Sequence, residues 1–201
     1  MEWPSIVLGT WGALGTIISF ISFIQYHKEK RKNKSIKWDD LQIAITHMYK
    51  KIKEEFVPDI LFIPNEKGGV LANLIKKNLK FCTPCIFGIG VSKKYTKYKI
   101  NNNLIDDYYI FETTKWIAYL PKILKKYKDK KLLVIDDFVM TGDFAFELKK
   151  KLIHDIGFDE SNIKIMSLAT TQIAIDSQKG PDYYWKSFDS SKVYLPWGVP
   201  E

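Results

Sequence analysis

Two adjacent carboxylates, Asp136 and Asp137, close the apolar run Leu132–Ile135, and a turn through Thr141 and Gly142 follows them. A helix-like segment, Ala145–Ile153, comes next. A run that is apolar at every position reads as a strand buried on both faces of a parallel sheet. In such sheets ligands sit beyond the carboxyl ends of the strands, where the next helix begins. The helix start offers unpaired N–H groups and the positive end of a dipole, which suit a phosphate. Paired acids just before it suit sugar hydroxyls or a hydrated Mg2+. A core strand closed by a polar turn uses the same residue types. The order strand, acid pair, Thr-Gly turn, helix favours the sugar-phosphate reading.

A second candidate, Glu66-Lys67-Gly68-Gly69, follows the apolar run Ile60–Ile63 and Pro64. Two glycines let backbone N–H groups turn inward onto an anion, and Lys67 adds positive charge. A plain strand-to-helix turn accounts for the glycines equally well. Cys82 and Cys85 have C-x-x-C spacing, but there is no second pair to complete a zinc site. They precede an apolar strand rather than open a helix, so they read as packing thiols.

The stretch Leu132–Ala145 resembles the PRPP-binding signature of type I phosphoribosyltransferases, a hydrophobic strand followed by D/E-D-x-x-x-T-G-G/K-T. Three other segments bring it nearest to the bacterial xanthine–guanine branch of that family. They are Ile36–Ile43 (I-K-W-D-D-L-Q-I), Ile60–Gly69 (I-L-F-I-P-N-E-K-G-G, similar to a strand and pyrophosphate loop ending R-G-G), and Pro181–Gly198 (P-D-Y-Y through L-P-W-G). The four are collinear and span Ile36 to Trp197. The resemblance implies an α/β fold, a parallel sheet flanked by helices.

It also implies roles. Asp136 and Asp137 would hold the ribose hydroxyls or Mg2+. Thr141, Gly142, Asp143 and Phe144 would form the 5′-phosphate loop. Lys67, Gly68 and Gly69 would meet the pyrophosphate, and Tyr95 would lie in the flexible catalytic loop within Ser92–Asp107. The implied chemistry is displacement of pyrophosphate from PRPP by a nitrogenous base.

The chain departs from the family at several of these places. Met140 stands where purine-specific members have an aspartate, and a thioether transfers no proton. Asp143 and Phe144 replace a glycine or lysine and a threonine, adding a negative charge and removing a hydroxyl donor. Lys192 aligns with the tryptophan that stacks on the purine, leaving Tyr184 and Trp185 as candidate substitutes. Two functions therefore stand at this point: a phosphoribosyltransferase with an unusual acceptor, or a catalytically degenerate module that binds PRPP or a nucleotide.

The elements that must position these residues follow from periodicity. Leu41, Ile45, Met48, Ile52 and Phe56 step as one face of a helix that Pro58 stops. Strands are expected at Ile60–Ile63, Ile86–Val91, Tyr108–Phe111, Leu132–Ile135 and Ile163–Ala169. Helices are expected at Val70–Leu79 and Lys115–Tyr127. The aromatic tail, Tyr183–Trp197, would form a hood over the base in the resembling enzymes.

The amino terminus is of another kind. No charged residue occurs from Trp3 to Tyr26, a run of about 24 positions, long enough to cross a ~30 Å hydrocarbon core. Lys28, Lys30, Arg31, Lys32, Lys34 and Lys37 follow, against Glu29 alone. The organisation expected is a transmembrane anchor over 4–26, a basic linker over 27–37 and the phosphoribosyltransferase-like domain over 38–201. The positive-inside rule places the body on the cytoplasmic side of the inner or plasma membrane, single-pass. The partners expected are the lipid bilayer and a PRPP or nucleotide ligand. Gly9, Gly12, Thr16, Ser19 and Ser22 make a small-residue stripe that suits homo-oligomerisation through the anchor, although glycine is common in membrane helices anyway. Much of the net charge of +8 belongs to the basic flank, so no nucleic-acid partner is expected.

Overall fold

The computed structural model describes residues 19–25, 35–79, 83–95, 106–189 and 193–198. Residues 19–25 are helical and exposed. Among the described residues no helix is long and apolar enough to cross a membrane. The rest of the expected anchor and most of the basic linker lie outside the described residues.

Helix α1 (Trp38–Glu55) buries Leu41, Ala44, Ile45, Met48 and Ile52, the face read from its periodicity. At its start the Lys37 N–H donates to Asp40 Oδ2 at 2.9 Å. Then follow β1 (Ile60–Ile63), α2 (Glu66–Leu79), β2 (Cys85–Phe87), β3 (Ile89–Ser92), β4 (Tyr108–Glu112) and β5 (Trp116–Pro121). The remaining elements are β6 (Leu132–Val139), α3 (Asp143–Lys151), β7 (Ile163–Thr171), the short α4 (Gln172–Asp176) and β8 (Tyr183–Phe188).

The five strands β2-β1-β6-β7-β8 form one parallel sheet in that order. Side chains alternate faces along a strand, and this divides the core in two. Leu61, Ile63, Leu133, Ile135, Met166 and Leu168 pack with α1 and α2 on one face. Ile60, Phe62, Leu132, Val134, Ile163 and Ile165 pack on the other, with α3 and a second sheet. That second sheet is antiparallel, in the order β3-β5-β4.

The second sheet accounts for two departures from expectation. The run Ile86–Val91 is not one strand: it breaks at Gly88, leaving the parallel sheet and entering the antiparallel one. A Cβ at Gly88 would lie 3.0 Å from both the Phe62 ring and the Tyr119 carbonyl, so a larger residue fits only if these neighbours give by a few tenths of an ångström. Lys115–Tyr127 is not a helix either. Its first half is β5, in which buried Ala118 and Leu120 alternate with partly exposed residues. Only Lys122–Tyr127 is helical, as a 3-10 turn. Aromatic and β-branched residues at 116, 117 and 119 favour the pleated surface.

Two more corrections bear on the site. Strand β6 does not stop at the acid pair but runs through Asp136 and Asp137 to Val139, buried along its whole length. Helix α2 begins at Glu66, so Lys67, Gly68 and Gly69 lie in its first turn and not in an open loop. The tail begins as β8, an edge strand of the parallel sheet.

Candidate functional site

Asp136 and Asp137 are both buried, 8% and 5% exposed. Asp136 Oδ1 accepts from Asn65 Nδ2 at 2.8 Å and from the Asp137 N–H at 2.9 Å. Asn65 Oδ1 in turn accepts from the Gly68 N–H at 2.9 Å. Asn65 thus satisfies an orphan donor at the start of α2 and fixes the first acid with the other end of its amide. Asp137 Oδ2 accepts from Trp197 Nε1 at 3.2 Å.

Gly68 brings α2 against this strand. A Cβ there would lie 2.5 Å from the Ile135 carbonyl oxygen and 3.3 Å from Asp136 Cα. Gly69 is different, with only the Phe87 ring at an ordinary 3.5 Å. The first glycine sets the depth of the helix against the acid-bearing strand.

Burial and proximity make the acids hard to ionise. The Asp136 carboxyl is pushed up to about 7, first by burial and next by the charge of Asp137, with Asn65 opposing. Asp137 is raised by burial, opposed first by the Trp197 N–H and also by Lys67. Such a pair is stabilised by anything that brings positive charge or hydroxyl donors to it.

The turn after β6 leads into α3. Gly142 has φ +77°, and a Cβ on it would lie 2.2 Å from the Lys179 carbonyl oxygen, so glycine is required here twice over. The Thr141 hydroxyl donates to Asp143 Oδ2 at 2.9 Å, and Lys179 Nζ lies 2.6 Å from Asp143 Oδ1. Lys179 first, then Thr141, holds the Asp143 carboxyl below the usual range. Phe144 is half-buried, with its ring stacked on Phe111 at 5.6 Å and tilted against Trp116 at 6.3 Å. Both departures at positions 143 and 144 therefore have occupations: one charge is paired by a lysine, and one ring joins α3 to the second sheet.

A cavity of about 490 Å³ unites these parts. Its walls are Asn65–Lys67, β6 from Asp136 onward, the Met140–Ala145 turn and helix start, the Thr113–Trp116 hairpin turn, and Gly90–Ser92. Of the residues singled out in the sequence, Lys67, Asp136, Asp137, Met140, Thr141, Gly142, Asp143 and Phe144 line it. Gly68 and Gly69 do not line it. Trp185 packs instead against the core on the α1 face, and Tyr184 is paired on β8 opposite Ser167. Tyr95 ends a 3-10 turn after β3; residues 96–105 of the expected loop, Lys192 and Cys82 lie outside the described residues. Cys85 is a free thiol.

Asn65, Lys179 and Trp197 carry contacts that sequence reading did not assign. Asn65 left a local signal, an Asn directly before a helix start. Lys179 left none, since it meets Asp143 from 36 residues away. Among the described residues no three His, Cys, Asp or Glu side chains cluster as a metal cage. The two acids fit a hard cation only as part of a shell completed by a ligand's oxygens and water, which is the usual manner of Mg2+.

No protein-family model and no curated protein sequence matches the chain. Solved structures do. A purine phosphoribosyltransferase from Pyrococcus horikoshii superposes with a TM-score of 0.60 at 20% identity, covering 83% of this chain and 95% of its own. The Helicobacter pylori xanthine-guanine-hypoxanthine phosphoribosyltransferase gives 0.55 at 14% identity, covering 83% and 94%. A Neisseria gonorrhoeae protein with bound ppGpp gives 0.56 at 17% identity, covering 82% and 89%. At these identities the likeness is one of fold: the parallel sheet and its helices are arranged as in type I phosphoribosyltransferases.

Proposed function

We propose that this protein binds PRPP or a related ribose-phosphate in the cavity above β6 and transfers the phosphoribosyl group to a nitrogenous acceptor. The observation that carries the reading is the gathering, in one cavity, of a buried acid pair, the Thr141–Gly142 turn and the start of α3. Asp136 and Asp137 would accept from the ribose hydroxyls or share a Mg2+ ion with them. When bound, that ion supplies positive charge to the leaving pyrophosphate. The N–H groups at the start of α3 receive the 5′-phosphate, and Lys67 faces the pyrophosphate. In the transfer, the acceptor nitrogen bonds to the anomeric carbon. The bond from that carbon to pyrophosphate breaks, and pyrophosphate leaves with the electron pair. The acceptor loses its proton to solvent, since Met140 cannot take it. That residue also argues against a 6-oxopurine acceptor.

A second reading is a nucleotide-binding module without transfer. Met140 favours it, and so does the bound ppGpp of the similarly folded Neisseria protein. In either case residues 4–26 anchor the chain in the membrane, with the body inside the cell. The deciding experiment incubates the full-length protein with PRPP, Mg2+ and a panel of bases. Release of pyrophosphate that depends on the base supports transfer. Tight binding of PRPP or a guanosine polyphosphate with no release supports the module, and binding of neither overturns both.

A further inference from the structure

The acid pair is completed from the far end of the chain. Trp197 lies 60 residues beyond Asp137 and donates its indole N–H to Oδ2 at 3.2 Å. It is held in place by a turn in which Leu195 and Gly198 exchange backbone hydrogen bonds of 2.9 and 3.0 Å. Val193 and Leu195 are buried in the α1-side core. The Tyr194 carbonyl accepts from the Ile36 N–H at 2.8 Å, and Tyr194 bridges Ser35 in parallel. The Trp197 ring meets Trp38, the first residue of α1, edge-on at 6.2 Å. The tail is thus clamped to the chain just ahead of α1, and the clamp delivers one donor to one acid.

We infer that Trp197 is a positioning residue that holds the Asp137 carboxylate in the orientation the ligand requires, so that the tail must pack against the segment at the start of α1 before the site is complete. An indole N–H only donates, so it adds one directed donor to Asp137 Oδ2, beside the Asp136 side chain and the Phe138 N–H that also meet this carboxyl. Asp136 needs no such help, because Asn65 and the Asp137 N–H already fix its Oδ1. The charged groups facing Asp137 are Asp136 and Lys67; neither substitutes for a directed neutral donor. This inference rests on the reading that the acid pair meets the ligand.

The test uses the full-length protein and Trp197→Phe, which removes the donor and keeps a smaller aromatic ring against Trp38. In ¹⁵N-tryptophan-labelled protein without ligand, the Trp197 indole N–H resonance should lie downfield and move upfield in Asp137→Asn. Calorimetry with Mg2+ and PRPP should show Trp197→Phe binding roughly ten-fold more weakly, the loss of one hydrogen bond to a charged group. The loss should vanish in the Asp137→Asn background, whereas any loss of stability from the smaller ring should be the same in both backgrounds. An equal loss of binding in both backgrounds or an unmoved resonance overturns the inference. If the wild-type chain binds no PRPP, the functional reading fails, and the resonance alone decides whether Trp197 holds Asp137.

Discussion

Asn65 and Asp136 are 71 residues apart and joined by a 2.8 Å hydrogen bond, with the other end of the same amide closing the first turn of α2 at Gly68. One side chain therefore registers a helix start and a site carboxylate to each other. The bond lowers the cost of ionising Asp136 but does not abolish it, because burial dominates.

The first prediction concerns that cost. The Asp136 carboxyl sits near 7 in the folded protein against an ordinary 3.8. Between these values the native state binds more protons than the unfolded one, so stability falls as pH rises through this window. Asp136→Asn removes the burden. It should leave stability near pH 4 little changed and raise it at pH 8 by about 2–4 kcal/mol, while weakening PRPP binding roughly 10–100-fold. Urea unfolding at the two pH values measures it. A variant no more stable than wild type at pH 8 defeats the account of the acid pair as strained by burial.

The two glycines at the start of α2 should behave oppositely. Gly68→Ala places a Cβ against the Ile135 carbonyl and should destabilise by about 1–3 kcal/mol. Gly69→Ala meets only an ordinary contact and should be neutral or stabilise by up to about 1 kcal/mol through helix propensity. Thermal melts of the two single variants decide it; equal effects would mean that α2 does not press on β6 at Gly68.

At the Thr141–Asp143 turn, Lys179 and Asp143 should act as a unit. Lys179→Ala exposes the Asp143 charge beside the bound anion and should weaken PRPP binding about 3–10-fold, more at low salt. Adding Asp143→Ala should restore most of it. Asp143→Gly alone frees Lys179 for the phosphate and should tighten binding. Phe144→Thr, by contrast, gives up the Phe111 and Trp116 contacts and should cost about 1–3 kcal/mol of stability. Titrations paired with melts separate the two. A Lys179→Ala variant that binds as wild type does would show the ion pair to be surface decoration.

The last prediction is that residues 4–26 span the bilayer. The protein should stay with membranes after alkaline carbonate extraction, and a C-terminal tag should be reached by protease only after the cells are opened. A full-length protein that extracts into the carbonate supernatant rules the anchor out.

Some of this was legible in local pattern and some was not. The apolar runs at 60–63 and 132–135 fall within parallel strands because burial on both faces leaves no polar positions to interrupt them. The acid pair with its Thr-Gly turn marks the cavity because helix-start chemistry is local. The strand Trp116–Pro121 reads as helix in the sequence, because six residues beside a helical turn carry too few periods to separate 2 from 3.6. The break at Gly88 leaves no local signal, because the Phe62 ring and Tyr119 carbonyl that crowd it come from elsewhere in the chain.

By itself, then, the sequence determined the apolar runs that become β1 and the first half of β6, the acid pair that follows the second run, and the Thr-Gly turn ahead of α3. These follow from burial and from backbone geometry within a few residues. Tertiary structure alone decided how the acids are held and what their neighbours cost. Asn65, Trp197 and Lys179 reach Asp136, Asp137 and Asp143 across 71, 60 and 36 residues. Whether a carboxylate is strained, fixed or neutralised depends on which donors the fold brings within hydrogen-bond distance and on how much water it leaves there. That is a property of packing, and no spacing along the chain records it.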